Sequence, residues 1–226
     1  MPSLDDVDVL REVERGRVPA HVARRPRLVA LREQALAMVR EQALVRARAS
    51  WRVVPLEGEP GTAGWLCLDG HRLQAPWLVP GSGQLTGVAC AVATLGEGLE
   101  RKVSELFAER RAALAVALDG LGNELLFALS RKVQDRMLAG VRKQGLGMAG
   151  ELRAGDPGLA LSAQQVVLQL AGAGDIGVEL TRTLMMHPAK STSIVQGVGL
   201  ALPAQTWSRC DACPSRPRCV LALEAA

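Results

Sequence analysis

Gly87-Val88-Ala89-Cys90-Ala91-Val92-Ala93-Thr94-Leu95-Gly96-Glu97 is the stretch that decides the fold of this chain. The unbroken run of small apolar residues from Gly87 to Ala93 predicts a buried strand, because a strand with one wet face alternates apolar and polar residues. The run stops at Thr94, and Glu97 follows three positions later. That is the capping-box spacing, in which a hydroxyl and a carboxylate satisfy free amides at a helix start. A helix is therefore expected from Thr94 to about Arg111.

The flanking segments extend this pattern in both directions. Leu114, Leu118, Leu121, Leu125, Leu129, Val133, Met137 and Val141 keep one face of a second, longer helix, which Gly145, Gly147 and Gly150 end. Upstream, Leu28, Leu31, Ala35, Met38 and Val39 predict an amphipathic helix over Leu28 to Arg48, with a short helix at Val7 to Glu14 before Gly16 and Pro19. Trp51 to Val54 reads as a strand, and Trp65 to Leu68 and His71 to Leu73 as a hairpin. Asp69-Gly70 between them tolerates the positive φ of a tight primed turn. Downstream, Ser162 to Leu170 predicts a short helix with Ser162 as its N-cap. Val178 to Met185 alternates like a half-buried strand, and Ser191 to Leu200 reads as another. These elements make one α+β domain over residues 1–205, with 1–85 as its N-terminal part, followed by a cysteine-rich tail at 206–226.

Composition narrows the function classes. With 226 residues, 48% of them hydrophobic, the chain can bury an ordinary core without disulfide staples. Net charge is only +4, and its arginines are interspersed with Glu and Asp rather than grouped with aromatics, so no nucleic-acid surface is expected. There are four Trp, two Phe and no Tyr, which removes phenol-based contacts. The opening Met1-Pro2-Ser3-Leu4-Asp5-Asp6 has no apolar run, and no stretch reaches ~20 uninterrupted apolar residues. No secretory signal and no membrane span are expected, and the location is read as cytoplasmic.

Three segments carry residue types suited to chemistry. At Val92–Gly96 the first-turn amides of the expected helix attract anions, although ordinary strand-to-helix junctions look the same. Arg153-Ala154-Gly155-Asp156-Pro157-Gly158 places a fixed cation in a Gly/Pro loop. That suits a carboxylate ligand, since guanidinium forms paired bonds to carboxylates; a solvated surface arginine gives the same pattern. In Met185-Met186-His187-Pro188-Ala189-Lys190-Ser191-Thr192-Ser193, Lys190 and three hydroxyls are suited to a phosphate or another anion. His187 is a metal or cobalt ligand type, or a turn hydrogen-bonding group, and the methionine pair reads as core.

In this order the segments resemble the S-adenosylmethionine-binding activation domain of cobalamin-dependent methionine synthase, and more closely its short free-standing relatives. Ala93-Thr94-Leu95-Gly96 before a charged helix and a long helix is similar to the family's a-T-[IL]-G segment. Arg153 to Gly158 is similar to its Arg-x-x-x-Gly-Tyr loop. Leu180-Thr181 through Met186, Pro188, Ser191 and Ser193 is similar to its LT-x-x-x-x-M-x-P-x-x-S-V-S-G stretch, with Lys190 before the serine as in the free-standing relatives. The likeness covers roughly residues 90–200, and Asp8-Val9-Leu10-Arg11 is similar to the opening of the shorter proteins.

The resemblance implies an α+β fold built on a twisted antiparallel sheet with long flanking helices. It implies an accessory factor, rather than an enzyme acting alone, for reductive reactivation of a cobalamin protein such as methionine synthase. In that family S-adenosylmethionine is the methyl donor that restores methylcobalamin from oxidised cob(II)alamin. Carried over by residue, Arg153 would meet the methionine carboxylate and Pro157 and Gly158 would pack on the ligand. Met186, Pro188, Lys190, Ser191 and Ser193 would complete the cofactor-binding cleft facing the corrinoid. The chain also departs from the family. Leu159 stands where the loop Tyr is expected, the loop is one residue longer, and Ala160-Leu161-Ser162-Ala163 replaces Pro-Ala-Cys-Pro. Phe127 occupies the acidic position about eight residues after Asp119, with Glu124 the nearest substitute. These departures point instead to a non-catalytic corrinoid-protein partner, or a metal- or iron–sulfur-binding module, that has lost S-adenosylmethionine.

Cys210-x-x-Cys213-x5-Cys219 closes the chain among arginines, as in the free-standing relatives. Three such thiolates converge on a zinc ion or one face of an iron–sulfur cluster; a redox dithiol or idle thiols share the pattern. Cys67, Cys90, His187 or a partner would supply a fourth ligand, with Cys90 reading as a small core residue. A cluster there would suit electron delivery to cobalt from a donor protein.

Overall fold

The run around Cys90 forms the middle strand of the main sheet. The computed structural model describes residues 2–203, so Cys210, Cys213 and Cys219 lie outside the described residues. In chain order the elements are β1 (Ser3–Leu4), α1 (Leu10–Arg15), α2 (Ala20–Ala23), α3 (Pro26–Glu41), β2 (Arg48–Pro55), β3 (Trp65–Leu68), β4 (His71–Gln74), β5 (Gln84–Thr94), α4 (Gly98–Ala108), α5 (Ala112–Arg142), β6 (Gly147–Leu152), α6 (Gln164–Ala171), β7 (Glu179–Leu180), β8 (Met186–His187) and β9 (Ser191–Leu200). Five of the strands build one antiparallel sheet in the order β1-β2-β5-β9-β6, and β3–β4 and β7–β8 form separate hairpins. The fold is α+β, as expected.

Both faces of β5 are covered, which explains its continuous apolar run. Ala89, Ala91 and Ala93 turn to one side, under α1, α3, α4 and α5. Val88, Cys90 and Val92 turn to the other, under α6 and the β3–β4 hairpin. Small side chains on the first face let the long α5 lie close to the sheet. All eight apolar positions of its expected stripe, from Leu114 to Val141, are buried. Among the described residues α5 is the one helix long and apolar enough to cross a membrane by length and composition; here it is the core helix of the sheet.

Burial also disposes of Cys90, whose thiol is pushed up from 9.0 to about 12 by desolvation. Because the folded value is the higher one, the unfolded chain ionises first as pH rises. The group is therefore neutral toward stability below pH 9 and disfavours the folded state above it. Iodoacetamide at pH 8 is expected to label exposed Cys67 and to leave Cys90 unmodified until the chain is denatured, as read by peptide mass mapping.

Several expectations change in the folded chain. Thr94 does not cap a helix: it ends β5 fully buried, paired with Arg48 and Ser191, and its hydroxyl accepts the Gly96 N–H at 3.1 Å. Gly96 takes a φ of +74°, and α4 starts only at Gly98. The upstream helix stops at Glu41, because Arg48 is recruited into β2. Ser162 lies in a 3-10 turn, and α6 begins after Ala163 without a side-chain cap. Of the alternating Val178–Met185 segment only Glu179–Leu180 is a strand, and residues 181–185 form the turn that joins it to β8. Thr181 and Met185 exchange backbone and hydroxyl bonds there, and Leu184 sits at φ +61°. The glycine-rich segment after α5 forms β6, because Gly147 and Met148 pair along the edge of β9.

Candidate functional site

The Arg153 loop leaves the edge strand β6, whose pairing with β9 slips between Ala149 and Leu152. Such a bulge re-aims the residues after it. Arg153 then lies over the ring of Phe127 on α5, 5.8 Å from its centroid, and bonds Glu151 at 3.0 Å. The loop is closed by its own groups. Asp156 accepts the Arg153 N–H at 2.9 Å, the Asp156 N–H returns to the Arg153 carbonyl, and Gly155 and Leu159 complete the turn.

Gly158 is held at φ +86°, and its face is covered by Trp77: a Cβ there would sit 2.7 Å from the indole Cγ. Leu159, where the resemblance would place a tyrosine, is buried in the α6-side core. The aromatic neighbour of Gly158 thus comes from Trp77, about eighty residues upstream. Gly158→Ala combines a left-handed φ with a backed-up Cβ and is expected to cost about 2–3 kcal/mol. Thermal unfolding measures the loss, and in a Trp77→Ala background, itself less stable because Trp77 packs on the core, the same exchange should cost only the backbone share.

The 186–193 bend is stitched to the strand-to-helix junction. Leu95 N–H bonds the Lys190 carbonyl at 2.9 Å, and Ala189 N–H bonds Glu100. Ser191 Oγ lies within bonding distance of Thr94 Oγ1, 2.9 Å, and of the Pro188 carbonyl, 2.7 Å. Ser193 is buried beside Gln164, whose amide holds the Leu184 carbonyl at 2.8 Å. Met186 packs on the α6-side core. Pro188 follows a cis peptide bond, and exposed His187 faces Glu97 and Glu100 at 3.4 and 3.6 Å. These hydroxyls point inward and the junction is ringed by carboxylates, so neither the three-hydroxyl anion cradle nor a helix-start anion site forms. Among the described residues no group of three His, Cys, Asp or Glu is placed to hold a metal ion.

Lys190 and Arg153 nevertheless converge. Lys190 Nζ reaches Asp119 and Asn123 of α5, both at 2.8 Å, and Arg153 covers Phe127. Asn123 and Phe127 are four residues apart, hence neighbours on one helix face about 6 Å apart along the axis. The loop and the bend, thirty residues apart in sequence, therefore meet on adjacent turns of the same helix. Glu124 does not substitute for the missing acid: both its oxygens accept from Arg32 of α3. Sequence patterns did not single out Trp77 or Arg32, and they marked Phe127 only as standing where the resemblance implies an acidic residue, not as a neighbour of Arg153.

The chain is similar to a solved structure of the MetH reactivation domain bound to AdoHcy, with a TM-score of 0.65 and 12% identity, over 99% of this chain and 88% of that one. This likeness establishes a shared fold. No family model and no curated protein sequence matches the chain.

Proposed function

We propose that this protein is a cytoplasmic accessory factor for reductive reactivation of a cobalamin protein such as methionine synthase, with S-adenosylmethionine held at the Arg153 loop. The observation that carries the proposal is the meeting of Arg153 and the 186–193 bend on neighbouring turns of α5. It occurs in a fold shared with a reactivation domain whose structure contains AdoHcy. The guanidinium would bind the methionine carboxylate, joining or replacing Glu151. Pro157 and Gly158 would limit the ligand on one side, and Met186, Pro188, Lys190, Ser191 and Ser193 would support the wall facing the corrinoid. Bound S-adenosylmethionine would supply a methyl cation equivalent to cob(I)alamin, formed from cob(II)alamin by one electron from an external donor protein, with the sulfonium C–S bond breaking and S-adenosylhomocysteine leaving. Titration calorimetry of the purified chain is expected to show saturable binding of S-adenosylmethionine and S-adenosylhomocysteine; no heat and no thermal stabilisation at millimolar ligand would remove the ligand from this account.

A second reading has its own support. Trp77 already covers Gly158, and Glu151 already holds Arg153. A corrinoid-protein partner that has lost S-adenosylmethionine would show this arrangement, with Cys210, Cys213 and Cys219 serving as an iron–sulfur or zinc site. Absence of ligand heat together with co-elution of the chain with a cobalamin protein selects it. Iron, zinc and sulfide analysis after anaerobic purification tests the tail: metal that disappears in Cys210→Ser is expected, and metal-free protein in both overturns that part.

A further inference from the structure

On its α2–α3 side, α5 borders an elongated groove of about 490 Å3. Ala113, Ala117, Gly120, Glu124 and Phe127 share one stripe of α5 along it, about 21 Å from end to end. Pro19, Val22 and Leu28 form the opposite wall. The charged pair in the lining is satisfied within itself, because both Glu124 oxygens accept from Arg32. A Cβ at Gly120 meets nothing within 4 Å, so another backbone can come close there. Val116 is 62% and Phe127 44% exposed, so the apolar wall lies open along one side.

The rim on the α2–α3 side is basic. Arg15, Arg17, Arg24, Arg25 and Arg27 are exposed there, and no carboxylate stands between Glu14 and Glu33 in the chain. Among the described residues, the ion pairs on this side use Arg11, Arg32 and Arg40 instead. Arg24 and Arg25 cap the helices that carry Val22 and Leu28, so the cations border the apolar wall directly.

An apolar surface beside a cationic one fits an occupant divided in the same way. An acyl chain in so open a groove would leave much of its surface in water. A nucleic acid would gain from the arginines and nothing from the apolar wall. A second copy in a two-fold contact would bring the same arginines against this rim. Residues 204–226 carry Arg209, Arg216 and Arg218 against Asp211 and Glu224, the wrong sign for it. An amphipathic helix with carboxylates along one flank meets both surfaces and keeps its remaining side in water. We propose that this groove docks an acidic amphipathic helix of a protein partner. Such docking does not require a ligand at Arg153.

The probe is a stapled, fluorescent peptide of about four turns with leucine at i, i+4, i+7 and i+11 and glutamate elsewhere. Titrated with the full chain and followed by anisotropy, it is expected to bind. Its twin with lysine for glutamate is expected to bind about tenfold or more weakly. Arg24→Glu, Arg25→Glu and Arg27→Glu together should reverse that order. Acidic residues at the start of α3 suit its dipole, and thermal melts confirm folding. Gly120→Leu fills the groove at a position with open space and should weaken the acidic peptide about tenfold. Equal affinity of the two peptides, unchanged affinity in Gly120→Leu, or no binding at all overturns the proposal. So does evidence of another occupant. Phosphatidylserine vesicles that bind in place of the peptide and are lost in Gly120→Leu would assign a membrane. A dimer in sedimentation that Gly120→Leu dissociates would assign a second copy. Tighter peptide binding after Leu221→Ser with Leu223→Ser would assign the groove to this chain's own tail.

Discussion

Glu124→Ala is expected to destabilise the protein by about 3–5 kcal/mol, the usual cost of orphaning a buried charge. Arg32 is only 8% exposed although it lies on a helix rich in solvated arginines. Its Nε donates to Glu124 Oε1 at 3.3 Å and a terminal nitrogen donates to Oε2 at 2.7 Å, with the Val13 carbonyl at 3.4 Å as a further acceptor. Without the carboxylate, a guanidinium remains between α1, α3 and α5 with one backbone oxygen. Urea denaturation measures the change. Removing both charges in Arg32→Met with Glu124→Leu should recover most of the loss, because well-packed apolar residues replace buried ion pairs at little cost. A change below about 1 kcal/mol in Glu124→Ala would show a pair screened like a surface bridge.

The largest expected effect on binding is at Arg153. Replacement by methionine keeps an unbranched apolar side chain and removes the guanidinium that lies over Phe127. A hydrogen bond to a charged group contributes about 2–3 kcal/mol, so S-adenosylmethionine affinity should fall about 30- to 140-fold. Stability should change by less than about 1.5 kcal/mol, because the Glu151 carboxylate is 25% exposed and keeps access to water. Arg153→Lys keeps the charge without the planar fork and should fall between the two. Equal affinity of the methionine variant and the parent would mean that Glu151 keeps the guanidinium from any ligand.

The elements legible in the sequence were those whose pattern is set by burial. The Gly87–Ala93 run, the eight-residue stripe of α5, the Asp69-Gly70 hairpin and the Ser191–Leu200 strand each recur where their patterns put them. Local polar signals were less informative. Thr94 and Ser162 sit at sites that resemble helix caps, yet the first is consumed by sheet pairing and a buried hydroxyl contact, and the second lies in a 3-10 turn. The 181–185 turn alternates like a strand but folds back because Thr181 can bond Met185 locally. Arg153 and Lys190 were marked by residue type and family likeness; Trp77 was not, and Phe127 was marked only as a departure from the expected acid, since nothing in their neighbourhood identifies the loop they touch.

The amino-acid order alone determines the α+β class, the central buried strand and the long core helix, because apolar periodicity reports which faces must leave water whatever they pack against. Only the tertiary structure decides which partner each polar group takes. Lys190 turns to α5, Glu124 turns to Arg32 and away from Arg153, and Trp77 closes over Gly158. Such choices depend on distances of a few ångströms between residues tens of positions apart, and directional bonds are either made or lost over that range.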